Sequence, residues 1–267
     1  MSNHILIVIV LTFIIHLIST LSYSVRIVGV RTGRIFVSFS LFNIMVLISR
    51  TSNAFQAPLL EKTVESNILA GKLTGNAMDF HLILAAASVS TLAGAALIPT
   101  FQRIFSKAVD FFSRNRSVAR LVLKLFTRRG VEEIEKAVTL PSKEQMYHYK
   151  RVGDLPKRVL VMNVFAVAIW TVGVLASLYA GYFNPELRGT SIALSGIING
   201  AATIMMFVVI DPYLAAMTDD VIGGVTSEAV FRRFIFYLIF GRFLGTILAQ
   251  ALLIPAAHII ITVAEML

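Results

Sequence analysis

Six stretches of this chain run about the thickness of a bilayer with almost no charge: residues 5–23, 35–49, 80–101, 159–182, 191–213 and 234–263. A helix crosses the hydrocarbon core in about 20 apolar residues. In lipid a spanning segment must satisfy its own backbone, which a helix does. The pattern predicts an all-α, polytopic membrane bundle of about six transmembrane helices. Composition agrees, with 57% hydrophobic and only 15% charged residues among 267, against about 45–50% and about 25% in soluble domains. In water that excess would form large apolar patches. An ordinary soluble enzyme, a disordered regulator and a nucleic-acid module are excluded. The chain has no cysteine, which removes disulfides, thiolate catalysis and Cys-ligated metals.

Lys and Arg orient the spans. More than half of the 24 lie between Gln102 and Lys157, so residues 102–157 are expected to form a cytoplasmic basic loop inserted in a single membrane domain, 1–267. The short loop with Arg26, Arg31 and Arg34 is then cytoplasmic as well, and so is Thr218 to Arg233. Both termini are expected outside. Met1-Ser2-Asn3-His4 lacks the basic start of a signal peptide, so residues 5–23 read as a retained helix. The net charge of +9 suits anionic headgroups of the inner leaflet.

Within the loop, Phe101, Ile104, Phe105, Ala108, Phe112, Val118, Val122 and Leu125 recur at helical spacing with basic residues between them. Such a helix either lies on the inner leaflet or packs on its own bundle. Val131 to Val138 reads as a short helix, and Ser142 with Gln145 fits a capping box for another.

Polar residues inside spans are costly and usually face a bundle interior or a hydrated cavity. Thr12, His16, Ser19, Tyr23 and Arg26 are spaced 4, 3, 4 and 3 apart, which places them on one face of the first helix. That face is either a hydrated lining or a set of interhelical hydrogen bonds. In the second helix Ser40, Asn43, Arg50 and Asn53 share a face. Arg50 lies about 22 Å along it from Ile35, where it either snorkels outward or meets an anion inside the bundle. The fifth span carries Ser191, Ser195, Asn199 and Thr203 at four-residue spacing beside Gly196 and Gly200, whose GxxxG spacing suits close helix packing. Asp211 is placed to pair with Arg26 or Arg34. The sixth span holds Arg242, Thr246, Gln250 and His258 near one face, with a second GxxxG at Gly241 and Gly245. Arg242 is either an interfacial anchor or the start of the span proper. Together these residues predict an electropositive cleft whose natural guest is an anion, phosphate above all.

Catalytic signatures are missing. Gly71-Lys72 lacks the glycine that a phosphate-cradling loop needs at position 66, which is Ser66. No HExxH or GxSxG occurs, and the five histidines are far apart in sequence. Asp219-Asp220 does not extend into an acidic metal-diphosphate motif, and the signatures of polyprenyl-diphosphate phosphatases are missing. The expectation is a protein that is not an enzyme, with no cofactor, no metal and no nucleic-acid partner.

The run Tyr23-Ser24-Val25-Arg26, Val30-Arg31-Thr32-Gly33-Arg34, Ser38-Phe39-Ser40-Leu41-Phe42-Asn43 and Ser49-Arg50-Thr51-Ser52-Asn53-Ala54-Phe55-Gln56-Ala57-Pro58-Leu59 resembles the Amj family, the "alternate to MurJ" lipid II flippases of Gram-positive bacteria. The resemblance covers essentially the whole chain. It implies a plasma-membrane protein that moves undecaprenyl-diphosphate-linked disaccharide-pentapeptide to the outer leaflet for peptidoglycan assembly. Read with that cargo, the candidate ligands of diphosphate and sugars are His16, Tyr23, Arg26, Arg31, Arg34, Asn43, Arg50, Asn53, Asn199 and Arg242. The expected partners are lipid II, anionic membrane lipids and a second copy of the chain. The rival readings are a membrane enzyme and a non-transporting scaffold, each acting on polyprenyl-diphosphate lipids.

Overall fold

The computed structural model describes residues 3–72, 77–139, 141 and 155–267. It is built of helices, α1 (Asn3–Thr32), α2 (Ile35–Leu69), α3 (Ala77–Asn115), α4 (Val118–Leu125), α5 (Arg128–Glu135) and α6 (Lys157–Ala180). A 3₁₀ turn at Pro185–Leu187 leads into α7 (Arg188–Met205), and a π turn at Met206–Ile210 joins that helix to α8 (Asp211–Ile222), after which comes α9 (Glu228–Met266). No strand occurs among the described residues. Six helical runs are long and apolar enough to cross a membrane, with α7, the π turn and α8 acting as one of them.

The helices outrun the apolar stretches. α2 continues from Ser49 through Arg50 and Asn53 to Leu69, so it is about 52 Å long. Hydropathy falls there, but a helix needs only backbone partners to persist, and Ser52, Leu60 and Val64 are still buried against the bundle. The turn between α1 and α2 is tight because Gly33 takes φ +63, the left-handed value that ends many helices. Pro212 explains the π turn. Its ring has no N–H for the Val208 carbonyl and would clash with it, so the helix widens just ahead of it.

The basic loop begins as helix. α3 runs on to Asn115 before Arg116, at φ 49, breaks it. Ser117 caps α4 by accepting from the Arg120 N–H at 3.3 Å, and Thr127 caps α5 by accepting from Gly130 at 3.1 Å. The second of these helices covers 128–135 rather than 131–138, because the Thr127 cap precedes it. The box at Ser142 and Gln145 lies outside the described residues. The first half of the amphipathic stretch packs on the bundle, and Val118 and Leu121 of α4 touch the same cluster. Phe105 and Val109 pack on Val25, Val28 and Leu41, whereas α4 fully buries no residue, leaving Leu123 and Phe126 exposed.

One core cluster joins Ile5 and Val8 of α1, Leu60 of α2, Leu84 of α3, Leu178 of α6 and Leu253 of α9. These positions alternate between helix starts and helix ends, so the chain threads up and down. At the other, basic end the core divides. α2 and α3 pack with α1 around Phe42 and Phe105, while α6, α8 and α9 pack around Phe231, Phe234 and Leu238.

The two GxxxG motifs have opposite fates. A Cβ on Gly245 would come within 2.7 Å of the Val164 carbonyl and 2.8 Å of Val167, so α9 and α6 touch backbone to backbone. Gly196 and Gly200 face open space. The expected close packing at that second pair is absent within the chain, because the side of α7 that carries them has no neighbour.

Candidate functional site

Arg242 lies inside the helical bundle. α9 is unbroken across it, and the residue is 7% exposed. It stands about 21 Å into the helix from Glu228, opposite His16, which is about 20 Å into α1. The guanidinium is therefore buried where α1 and α9 meet, far from either end of both helices. Its Nη2 meets His16 Nδ1 at 3.4 Å. An arginine nitrogen only donates, so Nδ1 accepts and the neutral ring carries its proton on Nε2. The Tyr23 hydroxyl also reaches Arg242 and donates to Asn163 Oδ1 at 3.2 Å. Asn163, almost fully buried, donates in turn to the Leu238 carbonyl at 2.8 Å. Arg242 Nε is buried without a hydrogen-bond partner. No ion pair joins Arg242 to an acid among the described residues. A cation far from bulk water is thus held by neutral groups alone.

The α1 stripe is the axis of this seam. Near one end Thr12 accepts from Gln56 Nε2 of α2 at 2.8 Å. His16 and Tyr23 occupy the middle. Toward the basic end Arg26 lies 4.9 Å from the centre of the Phe39 ring on α2 and feels the charges of Asp211 and Asp219 on α8. Arg26 thus stands between the two halves where their cores divide. It forms no ion pair within 4 Å with Asp211 among those described, so the sequence pairing is an electrostatic neighbourhood rather than a bridge.

The other sequence candidates fall elsewhere. Arg31 binds Glu228 at 2.6 Å and Gln102 at 3.3 Å, and Arg34 binds Asp110 at 3.1 Å. Both act as ties at the basic mouth. Asn43, Arg50 and Asn53 are exposed along the outer side of α2 and do not face Arg242. Asn199 packs over Gly173 of α6, with its Oδ1 buried and unpartnered. At the end opposite the basic mouth, α2 is tied across by Asn67 to Tyr182 at 3.0 Å and Glu65 to Arg188 at 3.3 Å. His81 and Gln250 clamp α3 to α9 with bonds of 2.7 and 3.1 Å. Asn163 was missed by sequence reasoning: a lone Asn in an apolar helix was the only signal.

No group of three or more His, Asp or Glu among the described residues is placed to hold a metal. What the seam can do is meet an anion. A guanidinium without a carboxylate matches phosphate oxygens in charge and shape, and the hydroxyl, amide and imidazole around it suit a polar, uncharged group.

Comparison with known proteins agrees. The family described as "Alternate to MurJ" (Amj) matches residues 11–264. The chain is similar to a protein named lipid II flippase Amj from Bacillus subtilis (strain 168), 34% identical over 255 residues, which is 92% of this chain and 91% of the relative. No solved structure matches it.

Proposed function

Because the chain belongs to the Amj family, we propose that it is a lipid II flippase, a multi-pass transporter rather than an enzyme. It carries undecaprenyl-diphosphate-linked peptidoglycan precursor from the inner to the outer leaflet of a bacterial plasma membrane. The basic end, with α4 and α5, faces the cytoplasm, where Lys and Arg accumulate; both chain ends are then extracytoplasmic. The exposed apolar side of α4, among its basic residues, rests on anionic lipid.

One observation carries the structural side of this reading: Arg242, buried in mid-span and unmatched by any acid. The cargo brings the missing negative charge as a diphosphate. Arg26 stands nearer the cytoplasm and receives that charge first, and Arg242 holds it midway. Tyr23 and His16 offer hydrogen bonds to the sugars while the prenyl chain stays in lipid. Arg31 and Arg34 keep the mouth assembled through Glu228 and Asp110. Asn43, Arg50 and Asn53 face away from the seam, so they join the route where a second copy covers α2. An inside-negative potential favours outward movement of an anion by about 2.3 kcal/mol per charge per 100 mV, so no nucleotide is required.

The test is a cell depleted of its other lipid II flippases and carrying this chain alone. Lipid II reaching the outer surface, read by an externally added lipid II-cleaving protein, is the expected result. Failure of export while the protein accumulates in the membrane overturns the flippase. Steady release of phosphate from undecaprenyl diphosphate by the purified protein overturns it in favour of a membrane enzyme.

A further inference from the structure

Around α1 from the seam, a cavity of about 990 Å³ lies between α1, α3, α9 and the residues Lys136, Ala137, Thr139 and Pro141. Its wall is apolar in depth, with Ile98, Ile235, Ile239 and Phe243. Toward the flank of the bundle it passes Leu92 and Phe240, each about half exposed at 51% and 48%. Its basic-end rim carries Arg31, Arg103, Lys107, Lys136 and Arg232 beside the neutral Gln102 and Ser106, and no carboxylate among the described residues lines it. Arg31 is matched by Glu228. Lys107 leans toward α5, its Nζ donating to the Glu133 carbonyl at 3.4 Å, whereas Arg103, Lys136 and Arg232 form no ion pair with an acid among the described residues.

The rim is built rather than incidental. Arg103 and Lys107 are one turn apart on α3 and so point the same way. Lys136 is brought across by a two-way clip, in which Thr100 Oγ1 donates to the Thr139 carbonyl at 2.7 Å and accepts from the Thr139 N–H at 2.9 Å. Arg232 comes from the first turns of α9, four residues from the Glu228 that holds Arg31.

We propose that this cavity is the loading site for a polyprenyl diphosphate lipid in the cytoplasmic leaflet. The diphosphate sits on Arg103, Lys107, Lys136 and Arg232, and the first isoprene units lie between α3 and α9. Charge selects the occupant: three unmatched cations, with Lys107 beside them, suit a diphosphate better than the single charge of a phosphodiester headgroup. The identity of the cargo rests on the flippase reading. The cavity adds where the cargo waits before it reaches the seam.

The experiment measures binding by the purified full-length chain in detergent, apart from transport. The probe is undecaprenyl diphosphate; phosphatidylglycerol, undecaprenyl monophosphate and inorganic diphosphate are comparators. The expected order is diphosphate lipid first, with both other lipids and the free anion at least tenfold weaker. Arg103→Gln with Arg232→Gln weakens the diphosphate lipid about tenfold or more, and Arg103→Lys retains binding. Ala96→Trp, which fills the apolar part, weakens both prenyl lipids and leaves inorganic diphosphate unchanged. Arg128→Gln, which removes an exposed charge of α5 away from the cavity, binds as the unaltered chain does. Equal binding of phosphatidylglycerol, or unchanged binding by the double Gln variant with its helicity intact, overturns the loading site. If export is restored in cells while the double variant binds normally, the loading site falls and the flippase stands. If binding behaves as stated and export is not restored, the flippase falls.

Discussion

Replacing Arg242 by methionine separates what the seam does from what holds it together. The wild-type residue places a guanidinium at 7% exposure beside His16 and Tyr23. An Arg at the centre of a span costs about 2.5–3.5 kcal/mol on insertion scales. Against this stand its hydrogen bonds, worth about 1.5–3 kcal/mol each when one partner is charged. The His16 contact is long at 3.4 Å, and Nε has no partner at all, so the gain falls at the low end. Methionine keeps the volume and removes the charge. Tyr23 retains Asn163 as its partner, and His16 is left as a neutral ring. The balance is about zero to 2 kcal/mol in favour of the variant, or a melting temperature higher by up to about 6 °C at the shift usual for this chain length. Thermal unfolding of the purified protein reads the first half. Lipid II at the outer surface of cells that depend on this chain reads the second, with loss of export expected. The reasoning is refuted by normal export, or by a variant less stable by more than about 2 kcal/mol, since either result makes Arg242 a structural post instead of an anion ligand.

Gly245→Ala forces a methyl against the Val164 carbonyl and is expected to destabilise by about 1–3 kcal/mol, whereas Gly196→Ala and Gly200→Ala, which meet nothing in the chain, stay neutral or gain slightly; denaturation in detergent ranks them. Exchanging the charges of the half-exposed pair Arg31 and Glu228 in the double variant restores most of what either single reversal loses, an effect of about 0.2–1 kcal/mol seen in a double-mutant cycle. The hydrogen bond from Lys124 holds the Glu133 carboxyl below its ordinary range. A depressed carboxylate contributes stability above its unfolded pKa, and that contribution is lost as pH falls through the folded value. Protection from hydrogen exchange across 118–135, taken relative to the intrinsic rate at each pH, is therefore expected to fall slightly below about pH 4.5, and Glu133→Gln abolishes this pH step.

Six helices were legible in the sequence because lipid imposes a crude rule, a run of apolar residues of set length. The α1 stripe was legible for a similar reason: a period of 3.6 fixes which residues share a face. Which neighbour covers that face is a tertiary matter. Tyr23 found Asn163 and Arg242, 140 and more residues away, whereas Arg50 and Asn53, spaced just as regularly, found open surroundings on α2. Identical GxxxG spacings met a packed helix at Gly245 and none at Gly196 for the same reason. The cavity rim was invisible because its cations come from α1, α3 and α9 and from Lys136 just after α5. In the sequence those residues counted only toward topology, and the clip at Thr100 and Thr139 that assembles them has no local pattern.

A polar seam through a membrane is also a place where ions can leak, and a cell that energises its membrane cannot leave one open. In the role proposed for it, Arg242 would guard the seam as well as serve it. A fixed positive charge repels a sodium ion or a hydronium 10 Å away by about 1.7 kcal/mol at an effective dielectric near 20, and more sharply as the intruder approaches. An acid at the same position would invite protons along the hydroxyls and imidazole of α1. If Arg242 takes the anion as proposed, the lack of a carboxylate beside it among the described residues would let an anionic headgroup enter while keeping the proton and sodium gradients of the cell intact.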